Sequence, residues 1–193
     1  MRSSGKFLLI GITAEDFIDN EAGKIENLLD CGLDYIHIRK PGASRKALAE
    51  LIGAIKPEYY GRLKLHDYYD LAEAYKLGGV QLNSRNSEIT SEKLRISRSC
   101  HSLDEIDDFA EVNPEYEYVT LSPIFNSISK KGYTSRFNLD DLTDKIKDKS
   151  VIALGGITPS SLTTLREAGF VGAAMLGCIW SNVDEFCKQL KTY

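Results

Sequence analysis

Along the chain, short runs dense in Ile, Leu, Val and Tyr alternate with longer segments whose apolar residues recur at helical spacing. Runs of the first kind occupy residues 6–13, 35–39, 63–66, 80–82, 96–100, 118–121, 151–154 and 172–176 and predict eight strands. Helical spacing covers residues 44–55, where Ala47, Leu48, Leu51, Ile52 and Ile55 share a face, and residues 71–77, 103–110, 139–146, 159–168 and 181–190. The pattern predicts a helix after every strand and is weakest after 80–82. At three junctions a helical segment runs into glycine and then a strand, at Gly32, at Gly78-Gly79 and at Gly169, as expected of repeated αβ units whose helices end on glycine. Strict β-α alternation implies parallel strands with helical crossovers, and eight units are the number that closes a (β/α)8 TIM barrel. An open, doubly wound sheet is the competing architecture. No linker or low-complexity tract divides the sequence, so residues 1–193 are expected to form one domain.

Composition narrows the chemistry. The 193 residues are 42% hydrophobic and 27% charged, in the range of a globular domain with its own core. With Lys+Arg 24 against Asp+Glu 28, the net charge is −4, and no basic tract marks a nucleic-acid or anionic-membrane surface. An anion site must therefore be local. No apolar run approaches the roughly 18 residues of a membrane span, and the run after the basic N-terminus is too short for a signal peptide, so a cytoplasmic protein is expected. Cys31, Cys100, Cys178 and Cys187 have neither zinc-ligand spacing nor the density of a disulfide scaffold, and read as small buried hydrophobes. A homodimer is compatible with this composition.

In a TIM barrel, chemistry gathers where the strands end, because those ends and the loops after them meet at one mouth. The polar residues fall there. His37 and Arg39 share one face of the second strand and Ile36 and Ile38 the other, which sends the polar pair into the lumen. The third strand ends at His66-Asp67 and the fourth at Gln81-Leu82-Asn83. The fifth places Ser97, Ser99 and His101 on one face, and the sixth Tyr118, Thr120 and Ser122. After the seventh strand, Gly155-Gly156 precedes Thr158-Pro159, a helix start, and Gly177 follows the eighth. Bare amides after strands seven and eight predict a phosphate cradle. Residues 122–137 form a long connection with three hydroxyl-bearing serines before Lys130, Lys131 and Arg136, suited to a lid over an anionic ligand.

Taken in order, Asp34-Tyr35-Ile36-His37-Ile38-Arg39, Gly79-Val80-Gln81-Leu82, Arg98-Ser99-Cys100-His101-Ser102, Ser122-Pro123-Ile124-Phe125 with Ser127, Ser129 and Lys130, and Ala153-Leu154-Gly155-Gly156-Ile157 resemble the thiamine phosphate synthase and thiazole tautomerase superfamily over nearly the whole chain. The resemblance implies a barrel that handles thiazole phosphate and leaves two activities open. The synthase joins a pyrimidine diphosphate to thiazole phosphate. Its pattern uses a Gln-x-Arg-x-Lys strand end, an Asn-Asp pair and a further magnesium-binding Asp. Here those positions read His37-Ile38-Arg39-Lys40-Pro41, His66-Asp67 and Asn86, so magnesium would keep only Asp67, with Lys40 and an outer-shell Asn86 left to compensate.

The tautomerase converts an exocyclic-alkene isomer of carboxythiazole phosphate into the aromatic ring and requires no cofactor. On that branch, to which the departures lean, His101 carries the proton, since an imidazole titrates at about 6.5. Arg39 would hold the substrate carboxylate, and Gly155, Gly156, Gly177 and Lys130 the phosphate. His66, Gln81, Ser99, Ser127 and Ser129 would complete the binding wall. The altered metal positions also admit a catalytically silent thiazole phosphate-binding module.

Overall fold

A computed structural model describes residues 5–88, 91–126 and 137–193. Eight strands, β1 (Leu8–Ile12), β2 (Tyr35–Ile38), β3 (Leu63–Leu65), β4 (Gly79–Leu82), β5 (Ile96–Cys100), β6 (Tyr118–Leu121), β7 (Val151–Leu154) and β8 (Gly172–Met175), pair in parallel in sequence order. β1 closes against β8, with Leu9 opposite Ala173, so the open-sheet alternative is excluded. Helices α1 (Glu21–Asp30), α2 (Arg45–Ala54), α3 (Tyr69–Ala74), α4 (Leu103–Val112), α5 (Leu139–Ile146), α6 (Leu162–Glu167) and α7 (Val183–Leu190) cover the outside. Short polar side chains start several of them: Ser44, Ser102 and Asn182 accept from the backbone N–H three residues on, at 3.2, 3.1 and 3.0 Å.

Strand alternation sorts the core in two. Outward residues such as Leu9, Ile36, Ile38, Leu65, Val80, Val119 and Ala153 pack under the helices against Ile25, Leu28, Leu48, Ile52 and Ile106. The lumen is itself divided. Around β1, β7 and β8 it is filled by Ile10, Ile12, Ile152 and Ala174. On the side of β2 to β6, His37, Lys64, Gln81, Ser97 and Thr120 are buried within it. Burying that many polar groups costs stability unless each finds a partner.

Three differences from the sequence pattern have identifiable causes. The helical list omitted α1, whose buried face is only Ile25, Leu28 and Leu29 beside the well-sheltered Glu21, and whose entry is the left-handed Asn20 (φ 52°). Among the described residues no helix follows β4. The chain turns back at once, with Asn83 N–H donating to Asn86 O at 3.0 Å and Asn86 N–H to Asn83 O at 3.1 Å. At the second glycine junction, Lys76 (φ 55°) takes the left-handed turn, with Gly78 two residues beyond it.

The cysteines require a correction. Cys31 and Cys187 form a disulfide with Cα atoms 5.7 Å apart, because closure of β1 on β8 brings the end of α1 beside α7. Cys100 is a buried free thiol, as expected, but Cys178 is only half-buried. No helix among the described residues is long and apolar enough to cross a membrane.

Candidate active site

At the C-terminal ends of the strands lies a cavity of about 620 Å³. Seven residues expected from the sequence line it together: Arg39, His66, Ser99, His101, Gly155, Gly156 and Gly177. Gln81 sits one layer deeper, completely buried, with its Nε2 donating to Ser99 Oγ at 3.0 Å and Thr120 Oγ1 at 3.3 Å. It acts on the cavity by orienting the Ser99 hydroxyl. Ser127, Ser129 and Lys130, and with them the expected lid, lie outside the described residues.

His101 follows β5, on the lumen face that the sequence assigns it. Its Nδ1 stands 3.2 Å from the Ser122 carbonyl and 3.2 Å from Ser122 Oγ. A carbonyl only accepts, so the contact favours the tautomer with hydrogen on Nδ1 and leaves Nε2 with a free lone pair. The exposed ring is thus held through one nitrogen, and the other is left as an acceptor.

Below it runs a file of buried aromatic donors. His66 Nε2 meets His37 Nδ1 at 3.1 Å, and His37 Nε2 meets the Tyr118 hydroxyl at 2.7 Å. Burial, together with the positive charges of Arg39, Arg85 and Lys64, pushes the His66 imidazole down to about 3. Burial and His66 likewise hold His37 well below the usual range. Both rings are neutral in the folded protein. Deeper still, Lys64 Nζ bonds Glu117 Oε2 at 2.7 Å and lies 4.4 Å from the centre of the Tyr118 ring. Desolvation lowers this ammonium to about 8.

The glycine pair is demanded by packing as well as by its turn. Gly155 (φ 97°) and Gly156 (φ 68°) both adopt left-handed conformations. A Cβ on Gly156 would stand 2.5 Å from the Asn126 carbonyl. The segment after β6 is locked to this turn by Phe125 N–H donating to Gly155 O at 3.0 Å. The Gly156 and Gly177 amides have no backbone or side-chain acceptor among the described residues. From the far side Trp180 Nε1 donates to Ile12 O at 2.7 Å, anchoring the segment that carries Gly177 to the end of β1.

The residues that would hold magnesium are otherwise engaged. Asp67 accepts from Asn86 Nδ2 at 2.7 Å and faces Arg85 Nη2 at 3.3 and 3.4 Å, so a guanidinium occupies its anionic side. Lys40 is turned away from the mouth and buried, its Nζ donating to Ala14 O, Asp16 O and Glu21 Oε1 at 2.9, 2.7 and 2.7 Å. Lys40 is therefore not placed to replace the cation lost at Pro41, whereas Asn86 sits against Asp67, where an outer-shell residue would stand. No group of three or more His, Cys, Asp or Glu disposed for a metal ion occurs among the described residues. Magnesium is commonly held by one or two carboxylates together with substrate phosphate oxygens, and the one carboxylate at this position, Asp67, is already bonded to Asn86 and Arg85.

Two further arginines reach the cavity, Arg85 and Arg98. Arg85 carries no signal in the sequence, because it reaches the cavity only through the tight turn Asn83–Asn86, where the pattern predicts a helix. Arg98, part of the fifth-strand motif, was given no site role because alternation sends it outward, where its guanidinium lies 5.3 Å from the Phe109 ring centre.

A family model described as thiamine monophosphate synthase matches residues 9–179. The chain belongs to the thiamine monophosphate synthase family. It is thus a member of an enzyme family of thiamine biosynthesis. The chain is similar to a solved thiamine phosphate pyrophosphorylase from Bacteroides thetaiotaomicron, at 32% identity and TM-score 0.82 over 96% of each chain. It is also similar to thiamine-phosphate synthases from Limosilactobacillus fermentum, 24% identical, and Salmonella dublin, 28% identical, each over 83% of this chain and 81% of the relative. Within the thiamine monophosphate synthase family frame, the strand-end residues are the part of this chain where its own chemistry must be sought.

Proposed function

We propose that the protein acts on thiazole phosphate and moves a proton within carboxythiazole phosphate, converting the exocyclic-alkene isomer into the aromatic ring. The observation that carries this reading is the pairing of Asp67 with Arg85 and Asn86, in a site whose cavity also holds a histidine held through Nδ1 with Nε2 left as an acceptor. The chain keeps what a proton transfer needs, whereas the carboxylate left for magnesium is already engaged. In this reading the Gly156 and Gly177 amides donate to the phosphate oxygens, and the ring lies between them and His101. His101 Nε2 takes the proton from the saturated ring carbon. The C–H electron pair enters the ring, and the exocyclic alkene carbon receives a proton back from the same nitrogen. One proton leaves and one returns, so no oxidant, reductant or metal enters the balance.

The second reading is thiamine phosphate synthase. It is favoured by the names of the relatives and depends on a metal-bound diphosphate. A third, binding without turnover, predicts neither activity. Purified protein is incubated with the exocyclic isomer in EDTA, and separately with pyrimidine diphosphate, thiazole phosphate and magnesium. Isomerisation that resists EDTA and falls by about 10²-fold or more in His101→Ala supports the proposal. Metal-dependent pyrophosphate release without isomerisation overturns it in favour of the synthase.

A further inference from the structure

We infer that Arg85, aimed by Asp67 and Asn86, is the residue that selects a carboxylate-bearing ligand, so that the site takes a small ring with phosphate at one end and carboxylate at the other. The inference rests on the proposed reading and assigns the specificity of the same cavity.

The turn that carries Arg85 is pinned to the barrel rim. Its two ends bond each other through the backbone, Asn83 Oδ1 accepts from Arg85 N–H at 3.0 Å, and Asn83 Nδ2 donates to His66 O at 2.8 Å and Gln81 O at 3.2 Å. The guanidinium itself is held loosely. A single nitrogen, Nη2, contacts Asp67, at 3.3 and 3.4 Å, while the short bond to that carboxylate comes from Asn86 at 2.7 Å. Asp67 therefore orients Arg85 without consuming its five N–H donors, and the side chain remains 44% exposed at the cavity wall. Arg39, the carboxylate holder expected from the sequence, is paired through Nη1 with Glu15 Oε1 at 2.7 Å, a closer contact than Arg85 makes with Asp67, and its side chain is less exposed than that of Arg85.

The two guanidiniums stand on the ends of β2 and β4 and flank His66 on β3, whose neutral imidazole adds no charge of its own. The glycine amides follow β7 and β8. In a closed barrel ordered β1 to β8, β3 and β7 are four strands apart and lie across the mouth from one another. The cavity thus has an amide pole and a guanidinium pole. A planar fork matches a carboxylate at two points, which a lone ammonium does not. Asp67 is then a positioning residue.

Calorimetric titrations in EDTA compare the aromatic carboxythiazole phosphate with its decarboxylated counterpart. The wild type is expected to prefer the carboxylated ligand by about tenfold or more. Arg85→Gln should abolish that preference while changing affinity for the decarboxylated ligand by no more than about twofold. Asp67→Asn should lose part of the preference, a ligand-selective effect that general destabilisation does not produce. Arg85→Lys, which keeps the charge but not the fork, should fall between, and serves if the glutamine variant does not fold. An indifferent wild type, or a variant lacking the guanidinium that keeps the full preference, overturns the inference, as does a loss that instead falls on pyrimidine diphosphate. A preference without isomerisation would sink the proposed reaction and leave this assignment standing. Isomerisation without preference would do the reverse.

Discussion

At the residue scale, the three histidines have different duties despite their shared chemistry. His101 is exposed at the cavity and fixed through Nδ1, whereas His37 and His66 are buried and bonded to each other at 3.1 Å. The buried pair links stability to pH. Their folded-state pKa values lie below the ordinary imidazole value, His66 at about 3, so between about 3 and 6.5 the unfolded chain binds protons that the folded chain refuses. The stability they permit is complete above about 6.5 and declines as the pH falls, by about 1.4 kcal/mol per histidine for each pH unit. Urea midpoints measured from pH 7 to pH 5 should drop on that slope, and His66→Asn should flatten it. An unchanged slope in that variant would show that His66 is protonated in the folded state after all.

At the scale of elements, the end of β2 is held by the segment that leads into α1. Arg39 N–H donates to Thr13 Oγ1 at 2.9 Å, and that hydroxyl donates back to Arg39 O at 3.1 Å. One residue on, Lys40 and Glu21 form an ion pair at 2.7 Å with side chains 1% and 3% exposed. Buried pairs add little over an apolar replacement, but removing one partner strands the other charge. Lys40→Met should therefore cost about 3–5 kcal/mol in chemical unfolding, and Lys40→Met with Glu21→Leu should recover much of it. A single variant as stable as wild type would mean that the pair does not hold this segment. Periodicity in the sequence located Lys40 at a strand end but could not show which way it turned. That depends on carbonyls at Ala14 and Asp16 in another unit, to which it donates.

At the scale of the whole molecule, the architecture was legible because eight apolar strand runs alternate with six segments of helical period, and any one weak unit, such as that after β4, is carried by its neighbours. The mouth was legible for the same reason: polar residues recur at the same end of successive strands, and seven expected residues line one cavity. What escaped the sequence depends on closure. The Cys31–Cys187 bond requires β1 to meet β8, and the guanidinium of Arg85 is placed by an Asp67 that belongs to a different strand. Spacing along a chain carries no signal for either.

The mouth is proposed to bind a small ring bearing a phosphate and a carboxylate between backbone amides and guanidiniums, beside the His101 imidazole. A crystal structure of the complex with aromatic carboxythiazole phosphate tests it most directly. The account predicts phosphate oxygens within hydrogen-bond distance of the Gly156 and Gly177 amides, the carboxylate at Arg85, and the ring edge facing His101 Nε2. Phosphate bound elsewhere, or a ring out of reach of His101, would contradict it.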